Sequence, residues 1–219
     1  MADAWHKAAS GRRTMLADFL TAGGMAFLAG ATDVCGLSRL RDLFVSFMSG
    51  NTTMLGLALG SGDWPRGALI LEIVGLFVAG AAAGAALESL GNRPHAAVVT
   101  CVVTLVLAVP LIQPRWTVAA LVLAMGALNA AMSRVGEVTV SLTYVTGTLV
   151  KFGQGLGRTL CGTPGGWVWL WQLPMWLSLL AGATAAAVVE RRFGGEAYWW
   201  PLPALALGLA LWTLLRGPG

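Results

Sequence analysis

The sequence predicts an all-α polytopic membrane protein with about eight hydrophobic helices, six to eight of them spanning, in two tandem structural repeats. Three observations support this class: the composition, the eight long apolar segments and an internal sequence repeat that relates the two halves. Of the 219 residues, 57% are hydrophobic and only 11% are charged, against about 25% charged in soluble domains. A single water-soluble domain is therefore excluded. We attribute the net charge of +4 to basic residues that set the membrane topology and contact lipid, and we expect no nucleic acid as partner.

Each apolar segment is about as long as a membrane-crossing helix, which needs about 20 mostly apolar residues. The eight segments are residues 15–36, 43–60, 67–87, 96–112, 116–132, 138–160, 167–189 and 198–215. The connections between them are short, so no folded soluble module fits between the helices. We therefore divide the chain into a cytoplasmic tail, 1–14, a first membrane repeat of four helical segments, 15–113, and a second of four, 114–219.

The second half of the sequence echoes the first. The run from Gly30 to Asp33 matches that from Gly126 to Asn129, at an offset of 96 residues. Farther along, 49–56 matches 146–153 at an offset of 97, and Ala79-Gly80-Ala81 matches Ala181-Gly182-Ala183 at an offset of 102. Repeats of this kind commonly meet near the membrane midplane, where interrupted helices build a solute site.

The number of spans stays open between two arrangements. If all eight segments span, the two halves run parallel. If segments 43–60 and 138–160 only dip into the bilayer, six segments span and the halves are inverted. The distribution of Lys and Arg, which prefer the cytoplasmic side, does not separate the two. We favour eight spans because both segments are long enough to cross.

Charged residues inside the apolar segments need a reason, because a charge at a helix centre costs about 2.5–3.5 kcal/mol on insertion scales. Asp33, Glu72 and Lys151 are the main candidates. Lys151 is the clearest anomaly, since it is the fourteenth residue of segment 138–160. We expect Lys151 to pair with Asp33 or Glu72 in a central polar pocket. The alternative is an ion pair that only locks the repeats together.

Two matching motifs combine glycine with small polar residues. They are Ser49-Gly50-Asn51-Thr52 and Thr146-Gly147-Thr148. Such motifs weaken a helix and expose carbonyls, which a bilayer tolerates only where the backbone faces protein or water. Ser, Thr and Asn both donate and accept hydrogen bonds, which suits a neutral or weakly charged solute. Helix packing through small residues is the alternative.

The motifs resemble the signature of the YoaK-like bacterial membrane proteins, domain-of-unknown-function family 1275. That signature reads roughly Gly-x-x-Asp followed by Phe-x-x-x-Met-Thr-Gly-Asn-Thr, and this chain has Gly30 to Asp33 and then Phe44 to Thr52, with Ser49 in place of the usual Thr. The stretches 128–130 and 143–149 look like a second family motif. The resemblance implies a multi-pass protein of the bacterial inner membrane and supplies little mechanism.

We therefore expect a small-solute transporter or permease with a polar site between the two repeats. The expected solute or ion pathway comprises Asp33, Ser49, Gly50, Asn51, Thr52, Glu72, Asn129, Thr146, Gly147, Thr148 and Lys151. The alternative is a membrane scaffold or accessory subunit, and an intramembrane enzyme is the least favoured class. We expect no catalytic residues, no cofactor and no metal site. The expected partners are the lipid bilayer, a small solute and, in a homo-oligomer, further copies of the chain.

Overall fold

The described part of the chain is helical throughout, apart from short connecting segments. The structure is a computed structural model that describes residues 2–40, 42–90, 114–132, 145–162, 167–194 and 207–208. Its six α-helices are α1 (Ala2–Arg39), α2 (Met48–Gly60), α3 (Trp64–Leu90), α4 (Pro114–Met132), α5 (Val145–Leu160) and α6 (Leu173–Phe193). A 3₁₀ helix, Trp167–Gln172, leads directly into α6. No strand occurs in these described ranges.

Three helical stretches are long and apolar enough to cross a membrane: Phe19–Ser38, Trp64–Leu87 and Trp169–Phe193. A shorter apolar stretch, Trp116–Ala130, lies in α4. Many large apolar side chains on these helices are exposed, as expected for surfaces that face lipid. The prediction of a helical membrane protein is confirmed at this level. The predicted segments 96–112 and 198–215 lie outside the described residues, apart from residues 207–208.

Two predicted helix starts differ from the observed ones. Helix α1 begins at Ala2, so the helix extends through the segment 2–14 that we expected to be a tail. Helix α2 begins only at Met48 and is 13 residues long, so segment 43–60 is not one continuous helix. Its first five residues are not helical, because their main chain is hydrogen-bonded to side chains described in the next section.

The helices pack mainly as two pairs, α1 with α6 and α3 with α4. Both members of the first pair run in the same direction: Phe19 stacks edge-on against Trp171 at one end, and Ser38 donates a hydrogen bond to Glu190 at the other. Helix α2 packs on α3, and α5 packs on the 3₁₀ helix and α6. A smaller contact joins α1 to α4.

Glycines bring the paired helices into backbone contact. A Cβ atom on Gly30 would overlap the carbonyl oxygen of Leu179, and one on Gly182 would overlap that of Phe27. In the second pair, a Cβ on Gly126 would overlap the carbonyl oxygen of Phe77. Likewise, one on Gly80 would overlap that of Leu123. Small residues stabilise helix pairs in lipid because they permit this close approach of the backbones.

Replacing Gly30 by Ala should destabilise the protein, because the added methyl group meets a backbone carbonyl that cannot move without shifting α6. Overpacking of this kind costs about 1–3 kcal/mol. Gly56→Ala is the matched control, since a Cβ there has nothing within 4 Å and Ala favours a helix by about 1 kcal/mol over Gly. Thermal unfolding in detergent should show a lower Tm for Gly30→Ala and an equal or higher Tm for Gly56→Ala. Equal melting of the two variants would contradict this packing.

Candidate functional site

A non-helical segment, residues 43–47, folds back against α1 and forms the base of the candidate site. The chain leaves α1 after Arg39 and turns at Asp42, whose φ of 71° lies in the left-handed region. Leu43 and Val45 are then completely buried. Close approach is possible at Gly36, where a Cβ would come within 2.7 Å of the Val45 side chain. Away from water, the main-chain groups of such a segment must be satisfied by protein.

Asp33 accepts hydrogen bonds from main-chain groups in the second half of this segment. Its Oδ1 atom accepts hydrogen bonds from the backbone N–H groups of Val45, at 2.8 Å, and Ser46, at 2.6 Å. Its Oδ2 atom accepts a third from the Ser46 hydroxyl at 2.7 Å. Asp33 lies six residues, or about 9 Å, before the last residue of α1. The carboxylate therefore anchors the segment well inside the helix pair.

Asn51 forms hydrogen bonds with main-chain groups in the first half of the segment. Its Oδ1 accepts a hydrogen bond from the Phe44 N–H at 2.9 Å, and its Nδ2 donates to the Phe44 carbonyl at 2.8 Å. A weaker contact joins Nδ2 to the Met48 sulfur at 3.6 Å. The side chain is completely buried. Its amide is thus used by the main chain, which is the structural role that a buried Asn next to an unwound segment can perform.

A cavity of about 350 Å³ opens between this segment, α1, α5 and α6. Its polar lining comes from Asp33, Ser46 and Thr146. The remaining lining is apolar or glycine: Gly30, Val34, Leu37, Phe44, Phe47, Val145, Leu149, Trp176, Leu179 and Ala183. The volume falls at the lower end of the range for small-molecule sites, about 300–1,000 Å³. Within the described part of the chain, the Thr146 hydroxyl makes no hydrogen bond.

The remaining residues of the two predicted motifs lie outside the cavity lining. Thr52 is exposed and donates to the Met48 carbonyl of its own helix at 2.8 Å. Thr148 likewise donates to the Val145 carbonyl at 2.7 Å. The other three are Ser49, which is exposed, Gly50, whose absent side chain leaves room for the Phe47 ring, and Gly147, which is buried in α5.

Asn129 in α4 holds the position that matches Asp33. Its Nδ2 donates to the Met125 carbonyl at 2.9 Å. Its Oδ1 is buried and has no hydrogen-bond partner among the described residues. The stretch that would correspond to the anchored segment falls within 133–144, outside the described residues. Within the described residues, Asn129 therefore retains an unused acceptor, whereas the Asp33 carboxylate accepts hydrogen bonds from segment 43–47.

The expected pairing of Lys151 with a carboxylate is not present among the described residues. Asp33 is bonded to the anchored segment, and both Glu72 and Lys151 are exposed on the outside of their helices. Neither charge lines the cavity. Of the predicted pathway residues, the structure thus brings Asp33 and Thr146 together at the cavity and places Glu72 and Lys151 elsewhere.

Most lining residues of the cavity were not among the predicted pathway residues, and they include Ser46, Phe47 and Trp176. Phe47 packs edge-on against Phe44, with ring centroids 5.2 Å apart. Ser46 lies three residues before the predicted Ser49–Thr52 motif, and this polar residue within an apolar segment was an available signal. Nothing in the sequence separates Trp176 from the nine other tryptophans. No three His, Cys, Asp or Glu side chains in the described ranges are grouped as metal ligands would be.

Comparison with known proteins identifies relatives of the whole chain. The family model described as "Protein of unknown function (DUF1275)" matches residues 21–212. A UPF0700 transmembrane protein of Rhizobium meliloti (strain 1021) is 41% identical over 209 residues, which cover 94% of this chain and 91% of the relative. The chain belongs to the DUF1275 family. No solved structure matches it.

Membership in the DUF1275 family confirms the resemblance inferred from the Gly30–Asp33 and Phe44–Thr52 motifs. The motifs now have a structural explanation in this family member. Their Asp and Asn are the two side chains that hold segment 43–47. The chain is a transmembrane protein of a family without an established activity.

Asn51→Ala should destabilise this DUF1275 protein, because it leaves the N–H and the carbonyl of Phe44 without their partner. Each unpaired buried group costs about 1–3 kcal/mol. Thr52→Ala is the matched control, since that hydroxyl is exposed and bonds only its own helix. The Tm in detergent should fall by several degrees for Asn51→Ala and stay nearly unchanged for Thr52→Ala. A similar small change in both variants would show that Asn51 does not hold the segment.

Asp33 should tolerate Asn better than Ala. An Asn at this position keeps an oxygen for the Val45 and Ser46 N–H groups and presents an amide to the Ser46 hydroxyl, whereas Ala removes all three bonds. Thermal unfolding and limited proteolysis of both variants test this order. We expect Asp33→Ala to melt lower and to be cleaved faster within residues 40–47, and the reverse order would contradict the anchoring role.

Proposed function

We propose that this protein is a small-solute permease whose binding site is the cavity between α1, segment 43–47, α5 and α6. The single observation that carries this proposal is the unused Thr146 hydroxyl, which shares an otherwise apolar cavity with the Asp33 carboxylate and Ser46. A non-helical segment beside a cavity is the arrangement by which transporters expose polar groups inside a membrane.

The lining selects a class of solute. Phe44, Trp176 and Leu149 offer apolar contact to its body, and Asp33, Ser46 and Thr146 offer few and convergent polar groups. Asp33 places a carboxylate in this lining, and its oxygens accept hydrogen bonds from segment 43–47. A small solute with an apolar body and one hydroxyl or amine donor fits this lining best.

The two halves of the chain are proposed to be structural repeats, and each helix pair, α1 with α6 and α3 with α4, joins one helix from each half. The glycine contacts support this arrangement. Gly30 contacts Leu179, and Gly126 contacts Phe77. Gly126 matches Gly30 at the offset of 96 residues, and Leu179 matches Phe77 at the offset of 102 residues. The contacts of Gly182 with Phe27 and of Gly80 with Leu123 are related by the same two offsets.

With repeats of four segments each, the chain has eight helices, and segment 43–47 with α2 forms one interrupted crossing. This arrangement extends the three spans found by length and composition to a multi-pass protein. Its proposed location is the bacterial inner membrane. Its proposed partners are lipid and the solute, without an enzymatic reaction, cofactor or metal.

A non-transporting scaffold or accessory subunit is the second candidate, and one observation favours it. Asn51, the most polar residue of the first motif, is fully used by the main chain. In a scaffold the cavity would be filled by lipid or by a partner helix, and its polar groups would not contact a solute.

Proteoliposomes test the permease with a panel of short alcohols, primary amines and neutral amino acids. Thr146→Val keeps the side-chain shape and removes the free hydroxyl, so uptake of the transported compound should fall at least tenfold. Thr148→Val is the matched control, because its hydroxyl bonds only Val145 of its own helix, and its uptake should remain near that of the unaltered protein. Equal uptake by both variants would contradict the site.

A labelling experiment tests the same cavity without relying on transport. Thr146→Cys, in a chain with the exposed Cys161 replaced by Ser, should react with a membrane-impermeant maleimide, and the bound solute should slow the reaction. If no compound is moved and none protects Thr146→Cys, the scaffold is favoured instead.

A further inference from the structure

Helix α5 runs from the cavity to one end of the membrane-crossing stretch of α6. Near the start of α5, Thr146 lines the cavity together with Trp176 of α6. Farther along, the Phe152 ring packs edge-on against Trp169, with ring centroids 5.2 Å apart. Trp169 is the first residue of the stretch Trp169–Phe193, which is long and apolar enough to cross a membrane. The part of α5 from Phe152 onward therefore lies at the end of that stretch.

Close aromatic packing fixes this part of α5 at the level of the lipid headgroups. A Cβ on Gly155 would overlap the side chain of Trp169, so α5 lies directly on that side chain. Trp169 in turn stacks on Trp167, with ring centroids 6.2 Å apart, and Trp167 is exposed. Exposed tryptophans at the end of a membrane helix are typical of the headgroup region, where an amphipathic ring has both polar and apolar surroundings. Gly155 and its neighbours on α5 therefore lie near the membrane surface.

One exposed face of α5 at this level is polar and basic. Lys151, Gln154 and Arg158 follow one another at intervals of three and four residues, so they share one side of the helix. Lys151 and Arg158 are seven residues, or about 10.5 Å, apart along the helix axis. None of the three forms an ion pair or a hydrogen bond with another described residue. Helix α5 itself contains no acidic residue that could pair with them.

The basic face is not a requirement of this position in the sequence repeat. At the offset of 97 residues, α2 and its C-cap have Met54, Leu57 and Ser61 in place of Lys151, Gln154 and Arg158. Arg158 lies in the last turn of α5, where a positive charge is favourable beside the helix carbonyls. Lys151 is nine residues before the end of α5 and has no such role. Its charge needs a partner outside the helix.

We propose that the basic face of α5, formed by Lys151, Gln154 and Arg158, binds the phosphate group of an anionic phospholipid. Charge and depth together identify the ligand, because two cations and an amide donor lie at the level of Trp169, where lipid phosphates are found. On the opposite side of α5, Leu156 and Leu160 are exposed and apolar, which suits a helix at the boundary between headgroups and acyl chains. This proposal does not depend on the permease function.

Lipid retention by the full-length protein tests the site. The protein is placed in nanodiscs of phosphatidylcholine with a minor fraction of phosphatidylglycerol, then released into mild detergent, and its retained lipid is measured by native mass spectrometry. Lys151→Gln and Arg158→Gln should each weaken the retention of phosphatidylglycerol about fivefold, the contribution expected of one cation near a membrane surface. Lys151→Arg preserves the charge and should keep the lipid, which separates loss of charge from loss of fold.

Two comparisons in the same experiment distinguish this site from other anion binding. Arg192→Gln is the matched control, because it removes an exposed cation at the end of α6 that is remote from Trp169, and it should leave retention unchanged. An equal loss in Arg192→Gln and Lys151→Gln would show a general effect of net charge and overturn the proposal. Inorganic phosphate in excess should not displace the lipid, and displacement would assign the face to a soluble phosphate compound instead.

The depth of the basic face has a separate test by fluorescence quenching in liposomes. In a chain without its three native cysteines, a bimane label on Gln154→Cys should be quenched more by a nitroxide on the lipid headgroup than by one deep in the acyl chain. Leu177→Cys is the matched control, because Leu177 is exposed on α6 eight residues, or about 12 Å, beyond Trp169, and the order of quenching should be reversed there. Stronger quenching of both labels by the deep nitroxide would contradict the headgroup site.

Discussion

The need to satisfy the main-chain groups of segment 43–47 inside an apolar fold is the constraint on which the rest of the described structure depends. A helix meets this need by itself, but an extended segment does not. Asp33 supplies acceptors for two N–H groups, and Asn51 supplies one acceptor and one donor to Phe44. Once these bonds form, α2 must begin at Met48, and the segment becomes one wall of the cavity.

The anchored segment is placed by the close packing of α1 and α6. Gly30 and the contact of Gly182 with Phe27 bring the two backbones together within the two turns before Asp33, so the carboxylate has a fixed position relative to α6. Gly36, one turn later, admits Val45 against the helix. The glycines therefore have two roles along α1: Gly30 allows close packing with α6, and Gly36 allows close packing with segment 43–47. Without both contacts, segment 43–47 would not be held in place at the base of the cavity.

The helical membrane class, the family and the importance of Asp33 could be predicted from the sequence, because apolar length and an intramembrane charge are local signals. The role of Asn51 could not be separated from solute binding, since an amide serves both purposes and its partner, Phe44, is a main-chain group. The break in segment 43–60 was misplaced: we expected the helix to weaken at Ser49–Thr52, but α2 runs through this motif and the non-helical residues are 43–47. The segment is apolar enough to cross, and only the tertiary bonds to Asp33 and Asn51 show that its first five residues are not helical.

The described polar residues divide into two groups according to how their hydrogen-bonding capacity is used, and this division bears on the permease that we propose. Asp33 and Asn51 bond the main chain of segment 43–47, so this wall of the cavity cannot change without breaking several buried bonds. Thr146 lies on α5, which contacts α6 less extensively than α1 does, and its hydroxyl has no described partner. Regions with fewer packed contacts open at lower free energy. In the proposed permease, the α5 wall is therefore the side from which the cavity would open and discriminate between solutes, while the α1 wall would serve as its fixed support.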